Sequence, residues 1–415
     1  MAILTLIAAL LLGVAFGTFT GITPGIHINL IAVILISFVA FLLTITEPII
    51  LVIFIVSMAI THTFVDFIPS VFLGAPDEDS FLSILPGHQF LLKGLAYNAI
   101  VLTLYGSLTA LLIIIIFTPI FIYLLPIIYP FLQKIMWLIL ILVSLLLIMP
   151  EKNKLPTLII FLLAGFLGIA SLNLNLKEPL LPLLTGLFGA SNILISIKQK
   201  TKIPEQKISE LKYIRLTKNS IKRSFLASIF AAPFTAFLPG LGAAQAALIG
   251  KQFLDVRKIQ NQKDEAREFL FLLGSINTIV MGLSFVALYS IQKTRTGAAA
   301  AISQLIPELT LNNLFLILLA IIISGLLAFQ ITIFISKIAS KNIYKINYSK
   351  LSIIILFILL IIILIFSDQT FQGKILSLLV FITSTSLGIF TVSYKVKRMH
   401  LMGCLLVPTI LFYLI

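Results

Sequence analysis

The sequence predicts an all-α, polytopic α-helical membrane protein, and three observations carry that reading. Hydrophobic residues fill 60% of the 415 positions and charged residues only 11%, with a mean hydropathy of +1.16. That is more apolar surface than a water-facing shell can hide. The apolar residues come in long Leu/Ile/Phe runs, without the alternation of a membrane β-barrel. The Lys and Arg residues, 29 against 15 acidic ones, fall in short tracts between those runs. At roughly 20 residues per span the chain has room for about 12–14 transmembrane or re-entrant helices.

Taken in order, the first run, "MAILTLIAALLLGVAFG", has no basic n-region and reads as a span over 3–20, not a cleaved signal. Apolar runs follow at 27–44, 48–72 and 95–125, and "PIIYP" separates the last from 131–149. After "EKNK" come 155–172, the turn "NLNLKEP" and the span 179–197. The long basic tract "KQKTKIPEQKISELKYIRLTKNSIKR", Lys198 to Arg223, closes that half. The second half supplies runs at 220–238, 242–256, 267–291, 311–336, 351–366, 371–393 and 399–415.

Charge sets the orientation. "EKNK", the tract 198–223, "KIASKNIYKINYSK" and "KVKR" are expected in the cytoplasm, and "PIIYP", "NLNLKEP" and "SDQTFQGK" outside. The runs between them number as this alternation requires. The net charge of +14 therefore reports topology, and no nucleic-acid partner is expected. A single cysteine, Cys404, excludes an intrachain disulfide or a Cys-based metal cluster. There is no P-loop, no G-x-S-x-G and no H-E-x-x-H, so neither ATP-driven transport nor a standard hydrolase is indicated.

Two interruptions organise the chain. Pro24-Gly25 in "GTFTGITPGIHINL" and Pro239-Gly240 in "FTAFLPGLGAAQAALIG" cut apolar runs 215 residues apart. Each half then carries a basic, glycine-containing turn, "LLKGLAYNAI" and "KTRTGAAAAI". The expected organisation is a transmembrane repeat over 1–197, a basic cytoplasmic linker over 198–223 and a second repeat over 224–415. Paired interruptions in corresponding halves point to the binding site of a transporter.

Proline suits the first position of a helix, and glycine allows the tight turn before it. Thr23 is placed to cap a helix starting at Pro24. Exposed N–H groups and the positive dipole end at Gly25 and Gly240 would suit a carboxylate. Alone, either Pro-Gly also fits an interfacial turn; the matched pair favours a site. His27 and Asn29 after the first break, and Gly242 and Gln245 after the second, complete the substrate-binding candidates. Intramembrane polar groups face a cavity or a partner helix.

For coupling or gating the candidates are Asp66, the triplet Asp77, Glu78 and Asp79, and the polar run Ser275, Asn277 and Thr278. Asp66 is an ionisable group within an apolar run. The triplet fits the first turn of a half-helix, or an exposed capped loop. His62 and Asp66 share a helix face at i, i+4, but two ligands make a poor metal site. No catalytic, metal or cofactor residues are expected beyond a coupling Na⁺ or H⁺.

These stretches, with "GAPDEDSFLSILPGHQFLLKG", "LLTGLFGASNIL" and "MGCLLVPTILF", resemble the TctA family, the large permease subunit of tripartite tricarboxylate transporters. The resemblance runs in order across nearly the whole chain. It implies an inverted-repeat carrier for carboxylates driven by an ion gradient, in the cell membrane. Bacterial members work with a small membrane subunit and an extracytoplasmic binding protein; a homodimer is among the expected assemblies. The family's P-G-x-G reads Pro24-Gly25-Ile26-His27 here, and the chain is short, so it looks like a compact archaeal-type member.

The expected function is secondary active transport of an organic anion, a di- or tricarboxylate, coupled to Na⁺ or H⁺. The alternative is a polytopic membrane enzyme acting on a lipid-linked substrate, for which only the 62–88 region offers acid/base groups.

Overall fold

A computed structural model describes residues 2–23, 43–73, 84–149, 151, 153–198, 203–235, 243, 246–247, 250, 262–294, 296–345 and 347–414. Among these residues the chain is helical with no strand, and eight helices are long and apolar enough to cross a membrane. The all-α membrane fold read from the sequence is the fold observed.

The first half runs α1 (Ala2–Ile22), α2 (Pro48–Val65), α3 (Phe67–Leu73), α4 (Ile84–Leu92), α5 (Ala96–Lys134), α6 (Met136–Ile148) and α7 (Lys154–Leu172). It ends on α8 (Leu180–Leu184) and α9 (Ser191–Lys198), joined by a π-helical stretch, Thr185–Ala190. The second half runs α10 (Lys218–Thr235), α11 (Gln262–Ile291), α12 (Gly297–Leu305), α13 (Leu311–Asn342), α14 (Tyr348–Phe366), α15 (Phe371–Ser393) and α16 (Gly403–Leu414). The two orders correspond through α15: α10 follows α1, α11 follows α2, the short α12 follows the short α4, and the long α13 follows the long α5.

Small residues set the closest approaches. Gly13, Gly17 and Gly21 fall at every fourth position of α1, which puts them on one face. A Cβ at Gly13 would lie 2.5 Å from the Phe54 carbonyl oxygen, and one at Gly21 would lie 2.7 Å from the Val65 Cβ. The near-constant offset shows that α1 and α2 run parallel. α5 and α11 meet in the same way: Gly274 admits the Thr103 carbonyl, Gly106 admits the Phe271 carbonyl, and Ser107 donates to the Gly274 carbonyl at 3.0 Å.

Hydrogen bonds between loops sort the faces. On one side the Lys177 N–H donates to Asp368 at 3.3 Å and the Glu178 N–H to the Ser367 carbonyl at 3.0 Å. This ties "NLNLKEP" to "SDQTFQGK", both expected outside. On the other side Lys397 reaches Glu151 at 2.6 Å, joining "KVKR" to "EKNK", both expected in the cytoplasm. Asp368 accepts from the Thr370 hydroxyl and the Thr370 N–H, each at 2.7 Å. Those bonds hold its carboxyl below the ordinary carboxylate range.

Two expectations are corrected. "PIIYP" is not a connection: α5 continues through Pro119, Pro126 and Pro130 to Lys134, because membrane helices re-satisfy the carbonyls that proline leaves. "LLKGLAYNAI" and "KTRTGAAAAI" are not equivalent turns, since the first follows its half's short helix and the second precedes it. The basic tract is tied to the turn before α5. The Lys207 N–H donates to the Gly94 carbonyl at 2.7 Å. Gln206 accepts from the Ala96 N–H and donates to the Leu91 carbonyl, both at 3.0 Å. Gly94 has φ +73, where a side chain would be strained.

Candidate functional site

Where α2 and α11 cross, the two halves exchange polar contacts in the middle of the protein. α2 ends at Asp66 because Pro69 lies three residues on; its ring obstructs the Val65 carbonyl and lacks the N–H that would bond it. Asp66 is therefore the hinge residue between α2 and α3, 2% exposed, with its N–H on the His62 carbonyl at 3.0 Å.

Asn277 lies near the midpoint of the 30-residue α11 and is 2% exposed. Its amide nitrogen donates to the Asp66 carboxylate at 3.0 Å and faces the Thr63 carbonyl at 3.5 Å. Both neighbours are acceptors, which fixes the orientation of the amide. Thr278, the next residue of α11, completes the crossing: its hydroxyl is 3.2 Å from that of Thr63. Thr63 gives its proton to the Ile60 carbonyl at 2.8 Å, so Thr278 is the donor between them.

On the α1 side His62, 4% exposed, places Nδ1 3.0 Å from the Thr20 hydroxyl. The Thr20 hydroxyl also lies 3.1 Å from the Gly17 carbonyl, and the imidazole tautomer sets which of Oγ1 and Nδ1 donates in the pair. Polar groups held this way at membrane depth are satisfied by one another and not by lipid.

The structure thus brings together Asp66, Asn277 and Thr278, three residues singled out for coupling, and adds Thr63, His62 and Thr20. Ser275 is fully buried beside Gly106 of α5, away from the Asp66 contact. The Thr23 hydroxyl donates back to the Phe19 carbonyl at 2.8 Å, so its proton closes α1. Pro24, Gly25, His27, Asn29, Pro239, Gly240, Gly242, Gln245, Asp77, Glu78 and Asp79 lie outside the described residues.

Sequence reading passed over Thr63 and Thr20, although a signal for both was present. Thr63 and Thr278 are separated by the same 215 residues as the two Pro-Gly breaks. At that offset Phe19-Thr20 stands against Phe234-Thr235, and His62-Thr63 against Asn277-Thr278.

Residues 7–403 match the model of the tripartite tricarboxylate transporter TctA family. The chain is also similar to the uncharacterized protein MJ1079 of Methanocaldococcus jannaschii, 32% identical over 419 residues and covering 98% of each chain. No solved structure matches it. A match over nearly the whole chain, on a helical membrane fold, makes the protein a member of the TctA family of tripartite tricarboxylate transporters.

Proposed function

We propose that the protein is a secondary active carrier in the cell membrane that moves an organic anion, a di- or tricarboxylate, using a Na⁺ or H⁺ gradient. The observation that carries this reading is the Asp66–Asn277 contact beside Thr63–Thr278. It puts an ionisable group where the two halves meet, and coupling requires a group whose ion occupancy the two halves can both sense.

In this reading residues 1–197 and 224–415 are two repeats of opposite orientation, joined by the strap 198–223. The Lys177–Asp368 contact and the Lys397–Glu151 contact support it: each joins an acid-bearing turn to a lysine-bearing turn, at opposite faces, as an axis in the membrane plane requires. Substrate is held at the two Pro-Gly breaks, by backbone N–H groups at Gly25 and Gly240, with Thr23, His27, Asn29, Gly242 and Gln245 lining the approach. Asp66, Asn277 and Thr278 serve the coupling ion, and Asp77, Glu78, Asp79 and Ser275 serve gating. A small membrane subunit and an extracytoplasmic binding protein are the partners that the family name supports.

The test is uptake of labelled carboxylates by proteoliposomes, with imposed Na⁺ or pH gradients. Gradient-driven accumulation of a di- or tricarboxylate is the expected result. Failure of every carboxylate under both gradients would overturn the reading.

A further inference from the structure

We propose that His62 is the positioning residue of coupling: its imidazole ties the end of α1 to the helical turn that carries Asp66. This rests on the carrier reading above and names how the ion group is linked to the rest of its repeat.

Three observations carry it. First, His62 and Asp66 belong to one turn, since the Asp66 N–H bonds the His62 carbonyl at 3.0 Å; a shift of the Asp66 backbone is a shift of His62. Second, the Nδ1 contact to Thr20 at 3.0 Å reaches the last turns of α1, where Gly17 and Gly21 bring the two backbones into near contact. A buried hydrogen bond at such an approach transmits small displacements, because packed interiors do not absorb them. Third, position 62 corresponds to position 277 at the 215-residue offset. In the second half that position is Asn277, whose amide holds Asp66. Equivalent positions in the two halves thus bear on the turn of Asp66: Asn277 on its carboxylate, His62 through the main chain and onward to Thr20 of α1.

The third observation supplies the test. The asparagine side chain puts a hydrogen-bonding atom where imidazole puts Nδ1, but it does not titrate between pH 5 and 8. His62→Asn should therefore transport with the wild-type pH profile, within about twofold of wild-type accumulation. His62→Ala should lose gradient-driven accumulation by about tenfold, within the range of typical coupling energies, while keeping carboxylate exchange without a gradient. Thr20→Val, which removes the partner hydroxyl at nearly constant volume, should match His62→Ala. The double variant should be no worse than either single, as for two members of one contact.

Wild-type accumulation in His62→Ala would overturn the proposal. So would a His62→Asn variant as defective as His62→Ala, which would make His62 a proton carrier. Loss of exchange in His62→Ala and Thr20→Val alike would make the contact merely structural. Wild-type protein run in parallel separates these outcomes from failure of the carrier reading, which would show as no exchange in any variant.

Discussion

Thr63 and Thr278 touch, hydroxyl to hydroxyl at 3.2 Å, and stand 215 residues apart. The same number separates Pro24 from Pro239. A residue meeting its own counterpart marks the place where a two-fold relation between halves would pass through the molecule. Asp66 lies one turn from that place and has no acidic counterpart, since the matching position is Met281. The crossing is symmetric in its threonines and asymmetric in its charge.

That asymmetry makes Asp66 the sensitive residue. Asp66→Asn keeps a side chain of the same size beside the Asn277 amide but removes the ionisable group. Ion dependence of uptake should be lost, with substrate affinity changed by less than about threefold, since coupling is separable from binding. Uptake measured against Na⁺ and pH checks it; wild-type ion dependence in the variant would rule Asp66 out.

The Pro-Gly breaks make a separate prediction about substrate. A carboxylate cannot rest uncompensated in hydrocarbon, and backbone N–H groups at a helix start supply partial positive charge. With substrate held at the breaks as proposed, Gly25→Val and Gly240→Val should each abolish uptake in a folded, inserted protein. Pro24→Ala and Pro239→Ala should be milder. His27→Gly should keep transport. Normal uptake in both valine variants would place the carboxylate elsewhere.

Single cysteines, in a background lacking Cys404, test the two faces. Thiols at positions 177 and 369 should react with an impermeant reagent added to intact cells. Thiols at 207 and 397 should react only after permeabilisation, because both positions lie in basic tracts expected on the cytoplasmic face. Labelling of 207 from outside would invert the assignment.

Acid should loosen the outer face. Hydrogen bonds from Thr370, then from Lys177, hold the Asp368 carboxyl below its ordinary value. A carboxyl depressed in the folded protein contributes stability at neutral pH, and that contribution is lost as pH falls through its folded value. Hydrogen exchange at Lys177 and Thr370, corrected for intrinsic rates, should rise on acidification below about pH 4. Asp368→Asn should abolish the pH response, and an unchanged response in that variant would assign it to another group.

The sequence by itself determined the solvent and the helices. Long apolar runs can only be helices in lipid, and that signal is local, legible one stretch at a time. The sequence also shows Pro24-Gly25 and Pro239-Gly240 at a 215-residue offset and Asp66 within an apolar run. Only the tertiary structure decided which residues Asp66 would meet. Its partner Asn277 is 211 residues away, and a polar residue in an apolar run carries no label for the helix it will face. The extension of α5 through three prolines and the binding of the linker to Gly94 were hidden for the same reason. At the linker, open backbone groups are satisfied by a neighbour brought in by packing, and packing is not written in any one stretch of chain.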